Sequence, residues 1–415
     1  MKKFLALLMA AIMLLSVMSF ASAEEQKVLT IVAWDANTTE YLADQKAAYE
    51  AAHPDVTIEY IDVASQDYED KVFTMLSGGD TSDIFMVKTV TGMQDWIEAG
   101  FAEPLTPYME ACNYDCSGFV GGEVHYAADG VQYALPFRSD FWVMFYNKDL
   151  FDAAGIAYPT NDMTWDEYYE LAVKLTDAEK GIYGTHIHTW LSAAVNWAVC
   201  DGVNTLVDGE YSDLIPYFEL VQKLEDAGAC MAYDELKASG LHYSAAFANG
   251  NIAMMNMGYW YVSTLIGYNK AGTATFNWGI CAVPHAEGVS AGSSFGSLTG
   301  AMINTKSTQK DLAWDYIAWL CGEEGSKATA TRGNRPAWVS EGVAAVMAAV
   351  DGFPADETSA GALLPSYVAI EIPAHEKANE ISGVLNEEYS MIMTRECTIE
   401  EGVAEMNERV AELFE

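Results

Sequence analysis

The chain reads as an α/β protein of two lobes. Strand-like runs alternate with helical periodicity from residue 27 onward, which predicts parallel sheets covered by helices. Its 415 residues exceed what one ordinary core organises, so two lobes are expected. Apolar residues make up 51% and charged residues 20%, the range of a folded globular chain.

The first 23 residues stand apart. Lys2-Lys3 precedes the apolar run FLALLMAAIMLLSVMSF, and Ala21-Ser22-Ala23 closes it as a small-x-small cleavage site. That layout is a secretory signal peptide. An anchoring helix is the competing reading, but the switch to Glu24-Glu25-Gln26 favours cleavage and export to the periplasm or outer face of the envelope. No cysteine sits at the cleavage point to carry a lipid.

After the leader, KVLTIVAW (27–34) is an apolar strand. A helix follows, for which Asn37 and Glu40 form a capping pair and Tyr41, Leu42, Ala48 and Tyr49 mark one face. Pro54 ends it and VTIEYIDV (56–63) resumes as a strand, completing a βαβ unit. A helix around YEDKVFTML ends at Gly78-Gly79, and SDIFMVK (82–88) is the next strand. VQYALPF and VMFYNK then read as two strands. TWDEYYELAVKLT reads as a helix opened by a Thr164–Glu167 capping box. FNWGICAVP (276–284) and SLTGAMINT (297–305) are strands flanking a glycine- and serine-rich turn. Leu312, Tyr316, Trp319 and Leu320 stripe the following helix, and the chain closes with helices, the last carrying Ile399, Val403, Met406, Val410 and Leu413.

Several of these segments, in order, resemble the extracellular solute-binding proteins of carbohydrate importers, the receptor components of bacterial ABC systems. The most specific is LPFRSDFWVMFYNKDLFDAAGIAYPTNDMTWDEYYELAVKLT (135–176), with its Tyr-Asn-Lys, Phe-x-x-Ala-Gly and Thr-Trp-Asp-Glu. AAYEAAHPDVTIEYIDV, YEDKVFTMLSGGDTSDIF, FANGNIAMMNMGYW and AWDYIAWLCGEEGSKATATRGNRPAW carry the likeness over nearly the whole chain. The resemblance implies a two-lobed, periplasmic-binding-protein-like α/β fold with a hinge, an interlobe ligand cleft and several chain crossings. It places the first lobe at 24–134 with 297–331, and the second at 135–296 with 332–415. It also implies a monomeric receptor that performs no chemistry, needs no cofactor and hands a sugar or oligosaccharide to a membrane permease.

Ligands of open α/β sheets bind beyond the carboxyl ends of strands. Taking the residues there gives Trp34 and Asp35, Lys88 and Thr89, Arg138 with Ser139 and Asp140, Trp190, Tyr259 and Trp260, Ser293 and Ser294, and Asn334 and Arg335. Flat aromatics beside Asp, Arg, Lys and Ser suit a sugar, whose C–H face packs on a ring while its hydroxyls pair with carboxylates and guanidiniums. Each has a plainer alternative. Strand alternation sets Trp260 opposite Tyr259 and Tyr261, so one class is core; the resemblance assigns Trp260 to the cleft. Asp35 also suits a helix cap, Arg138 and Asp140 a structural pair across the hinge, Lys88 the surface, Trp190 a hydrophobic lid, and Asn334-Arg335 the end of the preceding helix. Trp278, Trp314 and Trp319 are assigned to core.

The chain's net charge is −39, and loss of the leader with Lys2 and Lys3 takes it to −41. This excludes nucleic acid and anionic membrane as partners, since both require clustered Lys and Arg. It permits a cationic solute such as a polyamine or basic peptide, against which Lys88, Arg138 and Arg335 count. A secreted glycoside hydrolase is the other alternative, although no catalytic motif supports it. His186 and His188 share a strand face but lack a third metal ligand. Among seven cysteines, Cys112 and Cys116 are spaced for a local disulfide and the rest suit small core residues.

Overall fold

The computed structural model describes residues 26–119, 130–338, 340–373 and 375–415, so the leader lies outside the described residues. Nine strands are hydrogen-bonded to one another among the described residues: β1 (Lys27–Trp34), β2 (Val56–Val63), β3 (Ile84–Val87), β4 (Ala134–Asn147), β5 (Tyr183–His186), β6 (Ile252–Gly258), β7 (Trp278–Ala282), β8 (Ser293–Ile303) and β9 (Tyr367–Ile370). Their order is β2-β1-β3-β8-β4-β6-β5, with β7 beside β4 and β9 beside β8.

β1 pairs with β2 and β3 in parallel, and Leu29, Ile31, Val32 and Ala33 are buried, as a strand covered on both faces requires. The helix Tyr68–Ser77 is fastened to this sheet by the Tyr68 hydroxyl, which donates to the carbonyls of Val32 and Met86 at 2.9 and 2.7 Å. Thr164 and Glu167 form their capping box at the start of the helix Trp165–Leu175.

Two cores result. The first takes Leu135 and Phe137 from β4 and Leu298, Ala301, Met302 and Ile303 from β8. The second starts at Phe141 on β4 and Phe295 on β8, with a smaller cluster on the opposite face of its sheet. β4 and β8 therefore belong to both. β4 pairs with β8 through Ala134–Phe141, then with β6 and β7 through Trp142–Asn147. A bulge between Pro136 and Arg138 marks the crossing. A third segment crosses at the same level: Arg138 is bridged to Pro336, and Ser139 N–H donates to Arg335 O at 3.3 Å.

Four expectations change. The helix Glu40–Ala52 starts after Thr39, and the Asn37 amide donates instead to Asp62 at 2.7 Å, an acceptor from the next strand that competes with the cap. VQYALPF and VMFYNK are one strand, because Arg138-Ser139-Asp140 continues the ladder instead of looping out. β8 begins at Ser293, inside the glycine- and serine-rich stretch, whose small residues let strands pack closely. β9 interrupts the closing helices. Of the tryptophans assigned to core, Trp278 and Trp314 are buried and Trp319 is half-buried. Cys112 and Cys116 are free thiols, and Cys112 Sγ lies 3.3 Å from Tyr108 O.

At the crossing, a Cβ on Gly296 would stand 1.8 Å from the Asp140 carbonyl oxygen. Gly296→Ala is expected to destabilise the protein by about 3 kcal/mol through overpacking against backbone. Urea denaturation, read as a lower midpoint at unchanged slope, checks it.

Candidate functional site

The carboxyl ends of both sheets face the crossing. On the second sheet, β6 runs antiparallel to β4, so Gly258 lies opposite Trp142 where β4 arrives. β5 runs parallel to β6 and ends on the same side. On the first sheet, β3 ends at Val87 opposite Gly300 of β8, whose neighbour Thr299 faces Arg138.

Arg138 is the centre of this region. Its Nε lies 2.8 Å from Asp140 Oδ2, Nη1 donates to the Tyr41 hydroxyl at 3.3 Å, and the guanidinium sits 5.6 Å from the Tyr41 ring centre. The Asp140 carboxyl is 2% exposed, and its Oδ1 has no hydrogen-bond partner among the described residues. Burial pushes Asp140 up from the ordinary carboxylate range, opposed by Arg138 and Arg335. Arg335 lies against the Phe141 ring at 5.0 Å and donates from Nη1 to Ser139 O at 3.1 Å. Asn334 beside it is buried.

The aromatic side is built at the end of β6. The strand stops at Gly258, Tyr259 and Trp260 make the turn, and Tyr261 opens the helix Tyr261–Ala271. Strand alternation therefore does not govern these residues. Tyr259 is buried and stacked on Phe141, with ring centres 5.6 Å apart and planes 8° from parallel. Trp260 is half-buried, stands edge-on to Trp142, and donates from Nε1 to the Tyr243 hydroxyl at 3.1 Å. Its ring folds back over Gly258, where a Cβ would meet it at 2.0 Å. The glycine before three aromatics makes room for the second of them. Trp190 is 37% exposed and meets His188 and Tyr243 edge-on at 4.5 and 5.4 Å.

Two of the first-sheet candidates, Asp35 and Lys88, meet at Ser65. Asp35, at a left-handed φ of 47°, accepts from Ser65 N–H at 3.0 Å, and Lys88 Nζ donates to Ser65 O at 2.7 Å. Trp34 is half-buried, edge-on to Tyr68. Thr89 caps the helix Val90–Glu98 and bonds Glu69. Ser294 is buried with its hydroxyl engaged by Trp142, accepting from N–H at 3.0 Å and donating to O at 2.8 Å. Thr89 and Ser294 thus hold backbone in place, while Arg138, Asp140, Asn334, Arg335, Tyr259 and Trp260 gather at the crossing.

Tyr41 and Tyr243 escaped the strand-end reading because they lie on helices. His186 and His188 are buried, His188 against Tyr243, and burial holds them down to about 3 and about 4, hence neutral. Among the described residues, no group of three or more His, Cys, Asp or Glu side chains is placed to hold a metal.

Two lobes strung on shared strands, with strand ends facing a crossing lined by aromatics and an ion pair, define a solute-binding architecture. The chain belongs to the bacterial extracellular solute-binding protein family, whose model matches residues 35–327. It is similar to a sugar transporter from Rhizobium etli solved in an open conformation, at 40% identity and a TM-score of 0.83, covering 92% of this chain and 99% of that one. A lactose-binding protein of Rhizobium radiobacter is 26% identical over 75% of this chain and 73% of its own. A putative binding protein of Brucella abortus is 33% identical over 42% of this chain, a match spanning only 41% of that protein. The fold is also that of an ABC substrate-binding protein of Listeria monocytogenes solved with cycloalternan, at 23% identity and a TM-score of 0.78, covering 94% of this chain and 99% of that one.

Asp140→Ala removes the carboxylate beside a largely buried guanidinium and is expected to cost about 3 kcal/mol, with Asp140→Asn costing less; urea melts of both check the order. Because His186 and His188 titrate lower folded than unfolded, their contribution is complete above pH ~6.5 and falls as pH drops toward ~4. His188→Gln should flatten that acid limb in thermal melts.

Proposed function

We propose that this chain is the exported, non-catalytic capture component of an ABC importer, taking a sugar or short oligosaccharide in the cleft between its lobes and presenting it to a membrane permease. The observation that carries this reading is Trp260, half-buried above the end of β6 between Trp142 and Tyr243, near the charged cluster of Arg138, Asp140 and Arg335. Tyr243 falls within electrostatic reach of both Asp140 and Arg138, which supports reading the flat rings and the hydrogen-bonding charges as parts of one site. A saccharide uses both kinds of contact.

The lobes are proposed as residues 24–134 with 297–331 and 135–296 with 332–415, turning about β4, β8 and the segment near Arg335. Solute that touches both lobes stabilises the closed form only by its greater affinity for that form. Lactose- and mannitol-binding relatives support the solute class, and relatives that are binding proteins support a receptor over a hydrolase. Two guanidiniums beside the single Asp140 disfavour a cationic solute, because cation-binding aromatic sites avoid like charge.

A thermal-shift and tryptophan-fluorescence screen against mono- and oligosaccharides, spermidine and basic peptides tests the proposal. A sugar at a hundred times its dissociation constant should add about 2.7 kcal/mol of stability. Trp260→Ala should weaken that sugar by about tenfold through loss of ring contact. Stabilisation by cations alone would sink the solute class.

A further inference from the structure

Beside the second core lies a groove of about 1230 Å³, lined by none of the residues gathered at the crossing. It is walled by the start of the helix Trp165–Leu175, the chain near Asp201, the helix Ile215–Asp226 and the loop from β7 to β8. That loop is fastened to the first of these helices. His285 N–H donates to Met163 O at 2.9 Å, and Trp165 N–H donates to His285 O at 3.3 Å. All the walls lie within residues 164–289, inside the proposed second lobe, so lobe closure does not assemble the groove.

Aromatic rings form the floor. Trp165 is half-buried, edge-on to Tyr217 with ring centres 5.8 Å apart, and tilted on Trp197 at 5.2 Å. Tyr169, one turn further along the same helix face, is also half-buried. Tyr217 is 8% exposed yet lines the groove, and its hydroxyl has no hydrogen-bond partner among the described residues. Burial pushes that hydroxyl up, and Cys200, Asp201 and Asp213 push it the same way, so two carboxylates lie within electrostatic reach of it. A phenol oxygen left unpaired there is available to accept a donor from an occupant.

The rim is acidic. Asp166, Asp213 and Glu287 are exposed and meet no cation among the described residues. Asp201 is already engaged by the N–H groups of Val203 and Asn204, at 2.8 and 2.9 Å. The lining's one lysine, Lys223, lies 4.0 Å from Glu219, and His285 is turned to Asp162 at 3.1 Å.

We propose that this groove docks an arginine-bearing segment of another polypeptide. A guanidinium is flat enough to lie on Trp165 or Tyr169 and offers forked donors to carboxylates, whereas an ammonium is a compact point charge. The groove exceeds the roughly 300–1,000 Å³ of small-molecule pockets, which favours a stretch of chain over a free cation. A second copy of this chain does not fit, because its sixty acidic residues outnumber twenty-one basic ones. Docking there needs no solute in the interlobe cleft, so it holds or fails independently of sugar capture.

Fluorescence anisotropy with labelled hexa-arginine and hexalysine, and competition by spermine, tests this on wild type and two triple variants. Hexa-arginine should bind wild type at least about threefold more tightly than hexalysine does. Asp166→Asn with Asp213→Asn and Glu287→Gln should weaken hexa-arginine about tenfold. Glu59→Gln with Asp70→Asn and Glu412→Gln removes the same charge from exposed positions elsewhere and should cost less than about twofold. Tyr169→Ala, which leaves the charge unchanged, should lose about threefold. Equal loss in the two triples, or equal affinity for the two peptides, would reduce the contact to diffuse attraction by an acidic surface and overturn the inference. Absence of hexa-arginine binding would do the same. Spermine competing at or below the peptide's own concentration would make the occupant a free polycation and overturn the polypeptide.

Discussion

β4 and β8 run backbone against backbone through the level where both cores stop, with no room at Gly296 for even a methyl group. That contact fixes the register, and the register decides which side chains occupy the crossing: Arg138 opposite Thr299, Asp140 opposite Ser297, Phe141 opposite Gly296. The same two strands continue into both sheets, so they tie the cores together while concentrating relative movement where their pairing is irregular. Isolating one carboxylate there costs desolvation energy, which the guanidiniums of Arg138 and Arg335 offset. The aromatic shell follows from this. Phe141 receives Arg335 and Tyr259, and Trp142 receives Trp260, because both are the first residues of β4 inside the second core.

The α/β alternation was legible wherever a strand is buried on both faces and so reads as an unbroken apolar run, as in β1 and β3. The helix Trp165–Leu175 was legible because its cap is local, joining residues three apart. Reading failed where distant partners intervene. Asn37 carries the chemistry of a cap, but Asp62, twenty-five positions on, takes its amide. Arg138-Ser139-Asp140 looks like a polar loop, although its partners on β8 and near Arg335 keep it in the ladder. β9 has four residues between prolines and owes its existence to the exposed edge of β8.

The site was legible in part for the same reason. Residues just beyond strands are readable once the strands are known, and that rule reached Arg138, Asp140, Tyr259, Trp260 and Arg335. It did not predict that Ser294 and Thr89 would use their hydroxyls on nearby backbone, because that depends on which N–H group lies within reach. Nor did it reach Tyr41 and Tyr243, which sit in the first turns of helices and look like ordinary positions on an amphipathic face. Only tertiary packing sets one against Arg138 and the other beneath Trp260.

The contrast between surface and site bears on what the acidic composition does. The chain has sixty acidic and twenty-one basic residues, yet two of those cations lie at the crossing around a single carboxylate. Surface charges are largely screened beyond about 10 Å at moderate salt, whereas charges in a buried cluster interact with little screening. A neutral solute is indifferent to the outer field and responds only to the inner arrangement. A cation drawn in by the surface would meet guanidiniums where its carboxylates should be. The acidity therefore acts on solubility and mutual repulsion between copies, and in the proposed reading selection falls to the few polar groups held in place by β4, β8 and the turn before Pro336.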